Sequence, residues 1–370
     1  MKIALVQDWF VVNGGAEKVV REIIRLYPGC DVFALVDFLD DHDRQHILAG
    51  KKTHTSFLQR VPFVEKHYRN LLAFFPRAIE SLDLSAYDLI LSSSYAVAKG
   101  VKKLPGQLHI CYCHSPVRYV WDLEQAYLDT LSAPARMIAK PIFNYIRAWD
   151  LRTTERVDYF IANSKNVAER IRRIYNRDSE IIYPPVDTAL FTPCETKDDY
   201  YFTTLRVVPY KKLDLIVETF NRMPERKLIV SGDGPGLDKI RRRAASNVTF
   251  VGFVAREKLV SFMQRARAFV LAAEEDFGIT SLEAQSCCTP VIAYRKGGYL
   301  ETVIEGKTGV FFEEQTVESL TRCIDAFEKH PTTFRKEDFT SHVSRFSAEK
   351  FRERFKQFMD THVEATRGKT

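Results

Sequence analysis

The chain has 370 residues, 45% of them apolar and 28% charged, the balance of a globular protein rather than a disordered or fibrous one. That length exceeds what one hydrophobic core usually serves, so two domains are expected. The 54 basic and 48 acidic side chains leave a formal charge of +6, too small and dispersed for a nucleic-acid binder, though it suits anionic substrates or an anionic membrane surface.

Met1 to Val6 passes straight into a short apolar run ended by Asp8, without the longer apolar stretch and cleavage site of a signal peptide, so the chain is expected in the cytoplasm. A strand is predicted over Lys2 to Gln7. It is followed by Asn13-Gly14-Gly15-Ala16-Glu17, which opens a helix with Val19, Val20, Ile23 and Ile24 on one face. Paired glycines at a strand-to-helix turn let backbone approach a ligand, and the helix N-terminus favours a phosphate; a plain turn explains them equally well. The G-x-G-x-x-G dinucleotide fingerprint is missing, which disfavours a nicotinamide dehydrogenase.

The next strand is predicted over Asp31 to Phe38. After it, Asp41-His42-Asp43 superficially fits the D-x-D pair of metal-dependent transferases, but it lies in an acidic run from Asp37 to Asp43 where a helix cap is the better reading. No metal ligand is assigned. The segment Phe57 to Ile79 interleaves Phe57, Leu58, Phe63, Leu71, Leu72, Phe74 and Phe75 with Arg60, Lys66, Arg69 and Arg77. It reads first as core-packed helix with a solvated face and second as a peripheral contact with an anionic membrane carrying a lipid-linked acceptor. The longest run without Lys, Arg, Asp or Glu, Leu104 to Val117, is shorter than the about 20 residues that span a bilayer, so no transmembrane helix is expected.

Four more strands are predicted in the first half: Tyr87 to Ser93, Leu108 to Cys113, Tyr159 to Ala162 and Glu180 to Tyr183. His114-Ser115-Pro116 follows the second of these; the proline breaks the strand and lets the imidazole face outward, although alone His114 reads as structural. Tyr183-Pro184-Pro185-Val186-Asp187 then excludes helix and marks a linker.

The second half starts the alternation again with strands at Tyr200 to Leu205, Lys227 to Ser231, Val248 to Phe253, Ala268 to Ala272, Pro290 to Ala293 and Val310 to Phe312. Strands alternating with amphipathic stretches predict parallel sheets covered by helices on both faces, an α/β fold. The first of these strands leads to Arg206, Lys211 and Lys212, before a helix bearing Leu213, Ile216, Val217 and Phe220. Cations at the positive end of a helix repel one another and the macrodipole, which favours a bound diphosphate there over a merely solvated basic edge.

After the Ala268 to Ala272 strand come Glu275-Asp276-Phe277-Gly278-Ile279-Thr280-Ser281-Leu282-Glu283, with a tight turn at Gly278 and a helix from about that residue. Two carboxylates at a strand end can accept hydrogen bonds from the vicinal hydroxyls of a sugar or a ribose. A final helix from Ser347 carries Phe351, Phe355, Phe358 and Met359 on one face and could close either domain. The seven cysteines lack metal-site spacing and read as reduced thiols.

In combination, Gly14-Gly15-Ala16-Glu17, Cys113-His114-Ser115-Pro116, Asn163-Ser164, Pro184-Pro185-Val186-Asp187, Arg206 with Lys211, Gly232-Asp233-Gly234-Pro235, the Glu275 to Glu283 pair, Thr289-Pro290-Val291-Ile292-Ala293 and Gly297-Gly298 with Glu301-Thr302 occur in the order found in glycosyltransferase family 4. The chain resembles these retaining sugar-nucleotide transferases of GT-B fold over nearly its whole length. The resemblance implies two Rossmann-like domains facing across a cleft. An acceptor-binding domain would span residues 1–187, joined by a returning helix over 347–370, and a donor-binding domain 188–346.

It also implies that Arg206 and Lys211, with Lys212, neutralise the donor diphosphate. Amides around Phe277, Gly278 and Ile279 would receive the donor sugar and phosphate, Glu275 would hold sugar hydroxyls, and Glu283 the ribose. Gly14 and Gly15 would border the phosphate, with His114 near the reacting centre. Three positions depart from the family: Leu205 for a Gly or Ser, Asp276 for a Gly, and Cys288 for a Gly. Asp276 recurs in a subgroup that resembles GDP-mannose-dependent mannosyltransferases of surface polysaccharide assembly. The expected partners are a nucleotide sugar and a glycan or lipid-linked glycan, with no metal or other cofactor. A sugar-nucleotide epimerase and a catalytically silent nucleotide-sugar-binding scaffold subunit are the alternatives. Replacing Glu275 by Gln is expected to cut turnover and leave nucleotide affinity nearly intact.

Overall fold

The computed structural model describes residues 1–129, 131–329 and 334–367. The chain divides into two compact units, Met1–Pro185 with Ala348–Thr370, and Val186–Ser347.

The first unit holds seven strands: β1 (Ile3–Gln7), β2 (Asp31–Ala34), β3 (Thr53–Thr55), β4 (Leu89–Ser94), β5 (Leu108–Cys113), β6 (Tyr159–Ala162) and β7 (Ser179–Ile181). They form one parallel sheet in the order β3-β2-β1-β4-β5-β6-β7. Side chains alternate between its two faces. Leu5, Val32, Leu91 and Ile110 join one buried cluster, while Ala4, Val6, Phe33 and Ile90 join the other.

The second unit holds β8 (Tyr201–Thr204), β9 (Leu228–Ser231), β10 (Val248–Gly252), β11 (Ala268–Leu271), β12 (Val291–Tyr294) and β13 (Gly309–Phe312). Their order is β10-β9-β8-β11-β12-β13, again all parallel. Tyr201, Val230, Val270 and Ile292 pack on one face, and Phe202, Phe269, Leu271 and Ala293 on the other. Both sheets reverse their strand order at one point, β1/β4 in the first unit and β8/β11 in the second, the place where open α/β sheets bind ligands.

Every strand expected from the sequence is present, with ends shifted by a few residues. The largest shift is in β2, which stops at Ala34; Leu35 and Val36 stay buried in the following loop, so their apolarity reports burial and not strand. The strand β3 escapes sequence reading because Thr53-His54-Thr55 is a short edge with no apolar alternation.

The helix Ala348–Arg367 belongs to the first unit. Phe351, Phe355, Phe358 and Met359 are buried against Leu5, Val19, Val20, Ile23 and Ile24, and Arg352 pairs with the buried Glu22. The segment from Phe57 breaks into short helical turns, Phe57–Arg60, Val64–His67, Tyr68–Phe74 and Phe75–Glu80. Leu58, Val64, Tyr68, Phe75 and Ile79 enter the core, as the first reading of that segment requires. Phe57, Phe63 and Phe74 do not, and Phe63 is 84% exposed with φ +58°. All seven cysteines are free thiols. Among the described residues no helix is long and apolar enough to cross a membrane.

Cys288 explains one departure from the family pattern. It follows the helix Ile279–Ser286 with φ +55°, the left-handed conformation in which a glycine ends many helices. The chain accepts a side chain there at the cost of local strain.

Candidate functional site

Within the second unit, β8 and β11 are neighbours at the reversal of the sheet, so the loops leaving their C-terminal ends meet. Arg206, exposed, leaves β8, and a short 3-10 turn over Pro209–Lys211 precedes the helix Leu213–Asn221. Glu275 follows β11 and precedes the helix Ile279–Ser286, which starts at Gly278 as N-cap. Lys211 donates its ammonium to Glu275 in an ion pair whose side chains are 22% and 18% exposed.

This corrects the argument from charge repulsion. Lys211 lies in the turn before the helix and already has an anion, supplied by the protein. Lys212 occupies the N-cap itself, in the left-handed conformation at φ +57°. Glu274, the residue before Glu275, pairs with Lys296 at 3.1 Å. Glu283 lies on the second turn of its helix, only 6% exposed.

The loop carrying Glu275 is held by backbone contact that only glycine permits. Gly297 and Glu275 form a parallel bridge, and the Gly298 amide donates to the Glu275 carbonyl at 2.8 Å. A Cβ on Gly298 would lie 2.3 Å from the Phe277 Cα, and one on Gly297 would lie 2.4 Å from the Glu275 carbonyl oxygen. Gly278 has φ +91°, and a Cβ there would meet the Tyr299 ring at 2.7 Å. Phe277, buried, packs on Phe346 at 5.6 Å between ring centroids. The loop that carries Arg206 is fixed in the same way from the other side. Gly232 and Gly234, both at positive φ, press on the carbonyl oxygens of Leu205 and Val207, at 1.9 and 2.4 Å from their would-be Cβ atoms. The Val207 amide donates to the Asp233 carbonyl at 2.8 Å. The glycine pairs are visible in the sequence, but their contact with Leu205, Val207 and Glu275 is not.

In the first unit, Gly14 caps the helix Gly15–Leu26 with φ −111°, so it needs no left-handed freedom. Its amide donates to the Glu17 carboxylate at 3.0 Å, and a Cβ on Gly14 would lie 3.0 Å from that same oxygen. Asp8, fully buried at the end of β1, accepts four amides: Tyr95 at 2.7 Å and Ala96 at 3.0 Å on one oxygen, Val97 at 2.6 Å and Ala98 at 2.7 Å on the other. It thereby fixes the loop after β4, a role that sequence reading missed because a lone Asp after a strand has many uses.

His114 follows β5. Its Nε2 lies 2.8 Å from the Ser93 hydroxyl, and its ring centroid is 5.0 Å from that of Tyr112 and 6.0 Å from that of Tyr95. The Asn163 amide side chain donates to the His114 carbonyl at 2.9 Å, and Arg170 donates to the Ser115 hydroxyl at 2.7 Å. The acidic run is a cap, as the sequence suggests: Asp40 accepts the Asp43 amide at 2.7 Å, and Asp37 pairs with Arg44 at 2.7 Å. The ligand atoms of Asp40, His42 and Asp43 lie within 4.8 Å of one another, a grouping that this capping explains.

Two stability measurements test these placements. Burial pushes the Glu17 carboxyl from an ordinary value of 4.5 up to about 7, against the pull of the Gly14 amide and Gln7. The stability contributed by protonated Glu17 is full below about pH 4.5 and is lost as pH rises through about 7. The stability of the wild type relative to Glu17→Gln should therefore fall between pH 4 and 8 by up to about 3 kcal/mol in denaturant titrations; a flat difference would contradict the burial. Gly298→Ala forces backbone apart and should cost roughly 2–4 kcal/mol. Unchanged stability in that variant would show that the contact is relaxed in solution.

Comparison with known proteins agrees with this architecture. Residues 13–190 match the family described as Glycosyltransferase Family 4, and residues 192–341 match Glycosyl transferases group 1. A D-inositol 3-phosphate glycosyltransferase of Mycobacteroides abscessus is 30% identical over 198 residues, 47% of this chain and 45% of that protein. A GDP-mannose-dependent alpha-(1-6)-phosphatidylinositol monomannoside mannosyltransferase of Mycolicibacterium smegmatis is 32% identical over 136 residues, 32% of this chain and 36% of that protein. The chain thus spans about half the length of the first of these relatives and about a third of the second. In fold, it superposes on Anabaena HepE in complex with UDP and glucose with a TM-score of 0.72 at 17% identity, covering 96% of this chain and 99% of that one. The sucrose-phosphate synthase of Thermosynechococcus elongatus gives 0.73 at 19% identity, covering 98% and 99%. Two Rossmann-like parallel-sheet units, each matched by its own module in order along the chain, place this protein in glycosyltransferase family 4, with the GT-B fold.

Proposed function

We propose that the protein is a retaining glycosyltransferase that moves a sugar from a nucleoside diphosphate to a glycan or lipid-linked glycan, without a metal ion. The observation that carries this reading is the meeting of Lys211 and Glu275 at the strand reversal of the second unit, where Lys211 follows Arg206 after β8 and Glu275 precedes the helix Ile279–Ser286. Cations there suit a diphosphate, and a carboxylate suits sugar hydroxyls. The second unit is the donor domain in this reading, with Lys212 adding charge, Phe277, Gly278 and Ile279 offering backbone to the donor, and Glu283 taking the ribose. The first unit is the acceptor domain, with Gly14 and Gly15 bordering the phosphate and His114 orienting the acceptor. Arg206 and Lys211 stabilise the charge that builds on the departing diphosphate. Retention follows from attack on the face that the diphosphate leaves, with the departing phosphate helping to remove the acceptor proton; Glu275 holds the sugar in place.

Mannose from GDP-mannose is the proposed donor, resting on the subgroup resemblance and on the GDP-mannose-dependent relative; the UDP and glucose complex of the Anabaena protein makes UDP-glucose the control. Calorimetry with GDP, UDP, GDP-mannose and UDP-glucose tests it. One nucleotide should bind, Arg206→Ala and Lys211→Ala should each weaken it about tenfold or more, and His114→Ala should lower kcat with little change in nucleotide affinity. Full turnover in the lysine variant, loss of activity in EDTA, or an inverted anomeric centre by NMR would refute the mechanism, and an epimer formed from donor alone would replace it.

Peripheral association with the inner face of a membrane is proposed from Phe57, Phe63 and Phe74, exposed among Arg60, Lys66, Arg69 and Arg77. The chain should sediment with phosphatidylglycerol vesicles and not with phosphatidylcholine vesicles, and Phe63→Ser should weaken that binding; equal recovery with both would reject it.

A further inference from the structure

The pairing of Lys211 with Glu275 joins two groups that the proposed function assigns to different parts of the donor, the diphosphate and the sugar. Both are partly exposed, Glu275 on a loop held by Gly297 and Gly298, and Lys211 in the turn beyond the Leu205–Val207 segment that Gly232 and Gly234 hold. A donor whose phosphate takes Lys211 opens this ion pair, and what replaces it depends on the ligand. A sugar ester of a nucleoside diphosphate offers both halves, phosphate oxygens to Lys211 and hydroxyl donors to Glu275. A free nucleoside diphosphate offers only the first. It draws Lys211 away from Glu275, supplies no hydroxyl in return, and brings a terminal phosphate with one more negative charge than the ester toward that carboxylate.

We propose that Glu275, through its ion pair with Lys211, is a specificity-determining residue that favours the intact sugar nucleotide over the spent nucleoside diphosphate. Glu275 acts against product retention as well as for donor binding. When transfer breaks the bond between the anomeric carbon and the phosphate oxygen and forms one between that carbon and the acceptor oxygen, the acceptor proton passes to the terminal phosphate and from it to solvent; the sugar hydroxyls leave with the acceptor, the phosphate keeps the extra charge, and Lys211 is drawn back to Glu275. This reverses the expectation from sequence alone that nucleotide affinity is indifferent to Glu275.

The inference rests on the donor reading above, and its test separates the two. Calorimetry is run on the wild type, Glu275→Gln, Glu275→Ala and Lys211→Ala with GDP, GDP-mannose, UDP and UDP-glucose. In Glu275→Gln the nucleoside diphosphate should bind roughly fivefold tighter, the fold-change of a partly exposed pair worth about 1 kcal/mol, while its sugar ester binds no tighter. The preference for the ester should shrink accordingly, and product inhibition should strengthen by the same factor. Glu275→Ala must shift free-nucleotide affinity in the same direction, which guards against an effect peculiar to glutamine. Unchanged or weaker binding of free nucleotide in both variants, or an equal gain for the ester, would overturn the inference while leaving the donor reading intact, provided that Lys211→Ala loses affinity. If the wild type binds none of the four nucleotides, the donor reading falls and the inference with it.

Discussion

Both sheets are wholly parallel, and the placement of every candidate residue follows from that. A parallel strand cannot be joined to its neighbour by a tight turn; the chain must cross back over the sheet each time, usually through a helix. All strand C-termini then line one edge of each sheet, followed by loops and helix N-termini. Asp8 and Gly14 after β1, the loop held by Asp8 after β4, and His114 after β5 share that edge in the first unit. Arg206 after β8, Gly232 and Gly234 after β9, Glu275 after β11 and Gly297 after β12 share it in the second. The reversal of strand order opens a gap between the crossovers at β1/β4 and β8/β11, and the loops that border it are the ones free to take a ligand.

Loops at such an edge need a second constraint, because a binding group on a mobile loop is poorly placed. The protein supplies it by bringing backbone against backbone. Gly297 and Gly298 lie on the Glu275–Phe277 segment, and Gly232 and Gly234 on the Leu205–Val207 segment, with no room for a side chain between them. In the first unit the same task falls to side chains, Asp8 gathering four amides and Asn163 holding the His114 carbonyl. A fully buried carboxylate is expensive unless its oxygens are satisfied, and the four amides provide that while fixing the loop.

The Lys211–Glu275 pair illustrates why electrostatic reasoning from sequence stops short. Clustered cations at the start of a helix correctly mark a place where an anion belongs. Which anion sits there depends on residues 64 positions away along the chain. The replacement of glycine by cysteine at Cys288 teaches the complementary point: the family pattern reports a left-handed backbone, and this chain keeps the backbone while changing the residue.

By itself the sequence determined the α/β class, nearly all the strands and the order of the motifs, since these depend on local periodicity, on glycine stereochemistry and on short-range spacing. Tertiary structure decided what local patterns do not encode. The final helix shows an apolar face that its periodicity alone offers to any partner, and packing places Phe351, Phe355 and Met359 in the core of the first unit. The segment after Phe57 contains Pro62 and Pro76 and so cannot form one helix; packing decided that its turns bury Leu58, Tyr68 and Phe75 and leave Phe63 outside. Strand order brought β8 beside β11, and with them Lys211 beside Glu275. Contacts between residues distant in the chain are fixed by which elements pack together, a property of the whole sheet and not of any stretch of sequence.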